Sequence, residues 1–246
     1  MPYRRLPTTD KARLRALDAA LSIAEDRDAG KLAFSKNTLF ELKNVKSNFE
    51  NHLKHYEFDL KTESEKSSDY KAAFEKARLY VSHFIQVFFM NIERGELKDE
   101  TLAFYNLQDT DGKIPSLNSE QELLEWGRKV IEGEQKRMQN GGSPIYNPSV
   151  ALVKVNVENF NEAVVFQNTL KKNTLRSYGK IQQLRKETNE FISRLWTEIE
   201  ENLGDVPPKI KRQRAQEYGV VYVFRRNEKK KIRVEGMQVD LLFEFN

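Results

Sequence analysis

The stretch Tyr80-Val81-Ser82-His83-Phe84-Ile85-Gln86-Val87-Phe88-Phe89-Met90 would be apolar nearly all round if wound as a helix. A helix of that kind has to be surrounded by neighbours, so it predicts the centre of a helical fold. The residues before it continue the helical period: Tyr70, Ala73, Phe74 and Ala77 form a stripe, and Gly95 closes the segment. Upstream, Leu39, Leu42, Phe49, Leu53, Tyr56 and Leu60 recur at threes, fours and sevens behind a Ser35 cap, which predicts a long amphipathic helix. The polar run Ser64–Asp69 predicts a break between these two helices. A first helix opens at Thr8, Thr9 or Asp10 and buries Leu14, Leu17, Leu21 and Ala24, with Gly30 as its terminator.

Downstream, Ser119 and Glu122 have the spacing of a capping box and open a helix that runs to Met138. Gly127 and Gly133 inside it each cost about 1 kcal/mol relative to Ala, which predicts another backbone close by. Asn140 to Pro148 reads as a loop. Residues 150–160 alternate like a strand at Val153, Val155 and Val157. They also step like a helix through Val150, Val153, Val157, Phe160 and Val164, and the longer pattern favours helix, with Pro148 at its first position. A kink or turn is expected at Asn173-Thr174 or Gly179, after which the helical pattern resumes to Ile199 and stops at Gly204 and Pro207-Pro208. The last segment changes character: a short basic helix, then Val220–Phe224, then strict alternation of Met237, Val239, Leu241, Phe243 and Phe245. The expected fold is mainly α, a long-helix bundle of four to six helices with a small C-terminal antiparallel β hairpin or meander. Residues 1–204 form the bundle, and 205–246 a basic helix and β unit docked on it.

Composition narrows the function classes. The chain has 246 residues, no cysteine, and a formal charge of +4 from 41 Lys and Arg against 37 Asp and Glu. Disulfides, thiolate metal sites and cysteine nucleophiles are excluded. No apolar run approaches the roughly 18 residues of a membrane span, and no secretory h-region follows the basic N-terminus, so a cytoplasmic protein without membrane attachment is expected. The modest excess of charge is unevenly spread: Lys171–Lys186 holds six basic residues and no acid, while Glu96–Glu134 holds ten acids and four basic residues.

Motifs for chemistry are sparse. No Walker loop, dinucleotide fingerprint, serine-nucleophile motif or His-Glu-x-x-His occurs, so the sequence argues for no enzyme and no cofactor. His52, His55 and Asp59 share one side of a helix and are weak candidates for a divalent metal. His83, Gln86 and Asn91 interrupt the most apolar helix and suggest a buried polar pocket, with Gln167, Thr174, Tyr178 and Thr188 as possible partners. Gly141-Gly142-Ser143 reads as a helix end rather than a phosphate loop, and Asp109-x-Asp111-Gly112 lacks the remaining positions of a calcium loop. The tail interleaves cations with aromatics: Lys209, Lys211, Arg212 and Arg214 on the helix, then Tyr218, Tyr222 and Phe224, then Arg225, Arg226, Lys229, Lys230, Lys231 and Arg233. That pattern suits nucleic acid, and equally suits edge strands guarded against aggregation.

Ala77–Val87, Pro115-Ser116-Leu117, Glu125-Trp126-Gly127, Gly141–Pro148 and Tyr218–Val223 together resemble a group of intracellular proteins from Bacteroidetes-type bacteria that has no assigned function. The resemblance implies a bacterial, intracellular setting and carries no activity, cofactor or site. The leading expectation is a structural or protein-interaction module, with an unknown protein partner or self-association. Nucleic-acid binding through the basic tail and metal or small-molecule binding in the bundle are the alternatives.

Overall fold

The computed structural model describes residues 2–27 and 29–224. In chain order these form β1 (Tyr3–Arg4), α1 (Asp10–Asp26), α2 (Lys36–Glu93), α3 (Leu102–Tyr105), α4 (Glu120–Gln139), α5 (Val150–Asn202), α6 (Pro208–Glu217) and β2 (Tyr222–Val223). The fold is a helical bundle with one small antiparallel sheet, as the periodicity predicts. Residues 150–160 are helix. The expected second half of the C-terminal β unit, 237–245, lies outside the described residues.

Two local expectations are corrected. Ser64–Asp69 does not break the chain, because α2 runs uninterrupted for 58 residues. Asn173-Thr174 and Gly179 likewise sit inside α5, a single 53-residue helix. The strand after α6 pairs with the N-terminus, in the register Tyr3↔Val223 and Arg4↔Tyr222. The helix starts follow cap chemistry. Thr9 accepts from the Ala12 N–H, Ser35 from the Thr38 N–H, and Ser119 with Glu122 makes a complete capping box. Helix α5 starts behind Ser149, one residue after the cis Asn147–Pro148 bond, so Pro148 stands outside it.

The contacts divide into two compact units, Met1–Tyr56 with Ser177–Asn246, and Glu57–Arg176. The core of the first unit gathers Ala16, Leu17 and Ala20 of α1, Leu42 of α2, and Phe191, Ile192, Leu195, Trp196 and Ile199 of α5 around Ala215, Tyr218 and Val220. Polar clamps join its elements. Asp10 takes both Arg185 nitrogens at 2.9 and 2.7 Å, and the buried Arg13 donates to Asn189 at 3.0 Å. Tyr222 donates to Glu200, and burial together with that carboxylate pushes the phenol well above its ordinary range. Gly219, with a φ of +85°, passes so close to α1 that an added Cβ would meet the Ala16 carbonyl oxygen at 3.0 Å.

The second unit is built on Ala77, Val81, Phe84, Ile85 and Phe88 of α2, with Tyr105, Leu123, Val130, Val153, Val157 and Phe160. Phe88 lies 4.3 Å from Tyr105, ring to ring. Here α4 ends in the hydrogen-bond pair of a Schellman motif, with Gly141 N–H bonded to Met138 O and Gly142 N–H to Arg137 O, both at 3.0 Å. The two helix glycines are explained by close packing. A Cβ on Gly127 would meet Val157, and one on Gly133 would meet the Tyr105 ring and the Phe104 carbonyl oxygen.

Candidate functional site

The residues singled out from sequence disperse in three dimensions. His83 and Gln86 are exposed and Asn91 is half-buried, so the expected buried polar pocket does not form. The reason is helical phase: Leu79, His83, Gln86 and Met90 step by fours and threes along one exposed face, opposite the buried Val81, Phe84, Ile85 and Phe88. His52 Nδ1 bonds to the Asn48 carbonyl oxygen at 2.9 Å, and among the described residues no group of three His, Asp or Glu side chains is placed to hold a metal ion. The weak candidates His52, His55 and Asp59 do not form such a group.

Of the ten basic tail residues, Arg225, Arg226, Lys229, Lys230, Lys231 and Arg233 lie outside the described residues. The other four are spaced by two, one and two, which at about 100° per residue distributes Lys209, Lys211, Arg212 and Arg214 around α6 rather than along one face.

One buried ionic cluster was not anticipated. Glu134 is fully buried and Arg137 is 3% exposed, although both carry charge. Arg137 donates to Glu134 at 2.8 and 2.9 Å, Tyr105 donates its hydroxyl to the same carboxylate, and the Ile145 N–H adds a bond at 2.9 Å. Burial works to raise the carboxyl pKa, but the bonds from Arg137, Tyr105 and Ile145 outweigh it and hold Glu134 below the ordinary carboxylate range. With both oxygens engaged and no solvent exposure, Glu134 latches the 143–145 loop to α4 and has nothing left to offer a substrate.

The strongest candidate for binding lies in the first unit. A cavity of about 480 Å³ is walled by the chain that follows β1 (Arg5 to Thr8), by Ala12, Arg15 and Ala16 of α1, and by Gly219 and Val221, with Trp196 of α5. Its lining is mostly apolar. Trp196 is 1% exposed, and its Nε1–H is buried with no hydrogen-bond acceptor among the described residues. A buried donor without a partner costs about 1–3 kcal/mol, so its retention beside a cavity calls for an explanation. Arg5 and Arg15 are exposed at the same cavity, and among the described residues neither has a carboxylate partner. The arrangement offers apolar walls, Trp196 among them, and two guanidinium groups. Nothing in the residue pattern marked it, because a Trp on an apolar stripe reads as core and its missing acceptor is a property of the tertiary packing.

Comparison with protein-family models, with curated proteins and with solved structures gives no match for this chain.

Proposed function

We propose that the chain is a binding module, and that its first unit takes a small organic anion with an apolar body in the cavity beside Trp196. The observation that supports this reading is a mostly apolar cavity lined by Trp196, Arg5 and Arg15, where among the described residues the buried Trp196 Nε1–H has no acceptor and neither arginine has a carboxylate partner. Pockets of this size with few polar groups are the usual form of small-molecule sites. The ligand's chain packs against Leu6, Pro7, Ala12, Ala16 and Val221, while a carboxylate accepts from Arg5 or Arg15. A cytoplasmic, bacterial setting belongs to the same proposal and fits a chain with no cysteine and, among the described residues, no helix long and apolar enough to cross a membrane.

The test uses the two tryptophans. In a Trp126→Phe background, Trp196 is the sole indole, and its emission is followed during titration with octanoate and with octanamide. Octanoate is expected to shift the emission saturably and to bind better than octanamide. Arg5→Gln with Arg15→Gln is expected to erase that preference, by about 2–5-fold for each exposed charge. Equal binding of acid and amide, or no shift at millimolar ligand, overturns the reading.

A second reading, the protein-interaction module, is favoured by α5 in the second unit. Leu152, Val155 and Phe166 are 48%, 51% and 51% exposed, and with Asn159, Ala163 and Leu170 they fall on one helical stripe. Glu158 and Glu162 flank the stripe, which suits an amphipathic partner helix edged with cations and opposes pairing with a second copy. A leucine–lysine helical peptide is expected to bind the full chain more tightly than its leucine–glutamate counterpart. Val155→Asp with Phe166→Asp should weaken it about 30-fold, from about 1 kcal/mol of apolar burial lost at each site. Equal binding of the two peptides, or wild-type binding by the variant, refutes this reading.

A further inference from the structure

We propose that the second unit holds a separate site for a small hydroxylated anion of the sugar-phosphate class, in a cleft of about 500 Å³ where α2 faces α5. The run that the sequence presents as a helix break supplies part of one wall: Ser64, Ser67 and Ser68, flanked by Glu63 and Lys71, line the cleft from α2. From α5 come Lys171 and Gln167. Gln167 is only 6% exposed, and its Oε1 is buried with no hydrogen-bond partner among the described residues. An amide oxygen in that condition is satisfied by a ligand that brings an O–H or N–H to it. The remaining chemistry sorts into two kinds. Lys71 and Lys171, neither paired with a carboxylate among the described residues, donate to an anionic group together with the Ser64 and Ser67 hydroxyls, whereas Ser68 already donates to the Glu65 carbonyl oxygen at 2.9 Å. Glu63 accepts from hydroxyls, as Gln167 does. A ligand that matches both kinds carries several hydroxyls and one phosphate. This site stands apart from the cavity beside Trp196 in lining, in chemistry and in the residues that test it.

Isothermal titration of the full chain with glucose 6-phosphate, glucose and inorganic phosphate tests the assignment. Glucose 6-phosphate is expected to bind better than either half of itself. Lys71→Gln with Lys171→Gln, both exposed and so harmless to folding, is expected to reduce glucose 6-phosphate affinity at least about fivefold, in line with two exposed charge contacts. Gln167→Leu should weaken glucose 6-phosphate and leave inorganic phosphate unchanged. Its thermal midpoint, measured in parallel, confirms that the variant is folded. Absence of saturable heat below 10 mM of every probe (roughly the weakest affinity a cleft of this size would show) overturns the proposal. So does a lysine double variant that binds like wild type, or a phosphate affinity equal to that of glucose 6-phosphate.

Discussion

Arg137→Leu is expected to destabilise the protein by about 3–5 kcal/mol, the cost of leaving a buried carboxylate without its cation. Glu134 has no solvent exposure, and Arg137 supplies two of its hydrogen bonds, at 2.8 and 2.9 Å. Arg137 also donates to the Ser143 carbonyl oxygen at 2.5 Å, so the same substitution releases the loop that the latch holds. The double variant Glu134→Leu, Arg137→Leu should recover part of the loss, because a buried ion pair replaced by apolar groups is often neutral. Recovery stays incomplete, since Tyr105 and the Ile145 N–H then lack an acceptor, at about 1–3 kcal/mol each. Urea unfolding of the three proteins measures this. A single variant within about 1 kcal/mol of wild type would show that Glu134 finds other partners, and the latch would lose its place in the account.

The sign of the pH dependence follows from the same bonds. Glu134 is held below the ordinary carboxylate range in the folded protein, so its contribution to stability is fully present above the unfolded value of about 4.3. That contribution is lost as pH falls through the folded value. Glu134→Gln should therefore narrow the stability difference between neutral and acidic pH, which melts between about pH 3 and 7 would reveal.

The long helices were legible because hydrophobic period survives over many turns: Leu39 to Leu60 and Tyr70 to Phe88 keep their phase. Their continuity was not. Ser64–Asp69 reads as a boundary since serine and aspartate disfavour helix by a few tenths of a kcal/mol per residue, yet packing on either side outweighs so small a local cost. The same holds for Gly179. His83 illustrates a different gap: a segment that looks apolar on every side still presents Leu79, His83, Gln86 and Met90 to solvent, because phase, not average hydropathy, decides which face is buried. The Glu134–Arg137 pair did carry a signal. Leu123, Gly127, Val130, Glu134 and Arg137 step by fours and threes, so both charges fall on the continuation of the apolar stripe of α4. Trp196 Nε1 and Gln167 Oε1, buried without a partner among the described residues, left no such trace, because what fails to surround a group is set by residues far away in the chain.

Gly133→Ala separates helix propensity from packing. On propensity alone the substitution in mid-helix stabilises by about 1 kcal/mol. The new Cβ, however, would stand 2.6 Å from Tyr105 Cδ1 and 2.7 Å from the Phe104 carbonyl oxygen. A backbone oxygen cannot swing aside as a side-chain tip does, and the Tyr105 ring is fixed by its bond to Glu134 and by its contact with Phe88. Overpacking of this kind costs about 1–3 kcal/mol or more, so the net change should be a loss of about 2 kcal/mol. Gly179→Ala is the control: it lies inside α5, and nothing stands within 4 Å of where its Cβ would go. That variant should gain about 0.5–1 kcal/mol, by propensity alone. Thermal and urea unfolding of the pair distinguish the two effects. If Gly133→Ala is as stabilising as Gly179→Ala, then α3 yields to α4 at that contact. Tyr105 could then not be the fixed member of the latch on which the Arg137 prediction depends.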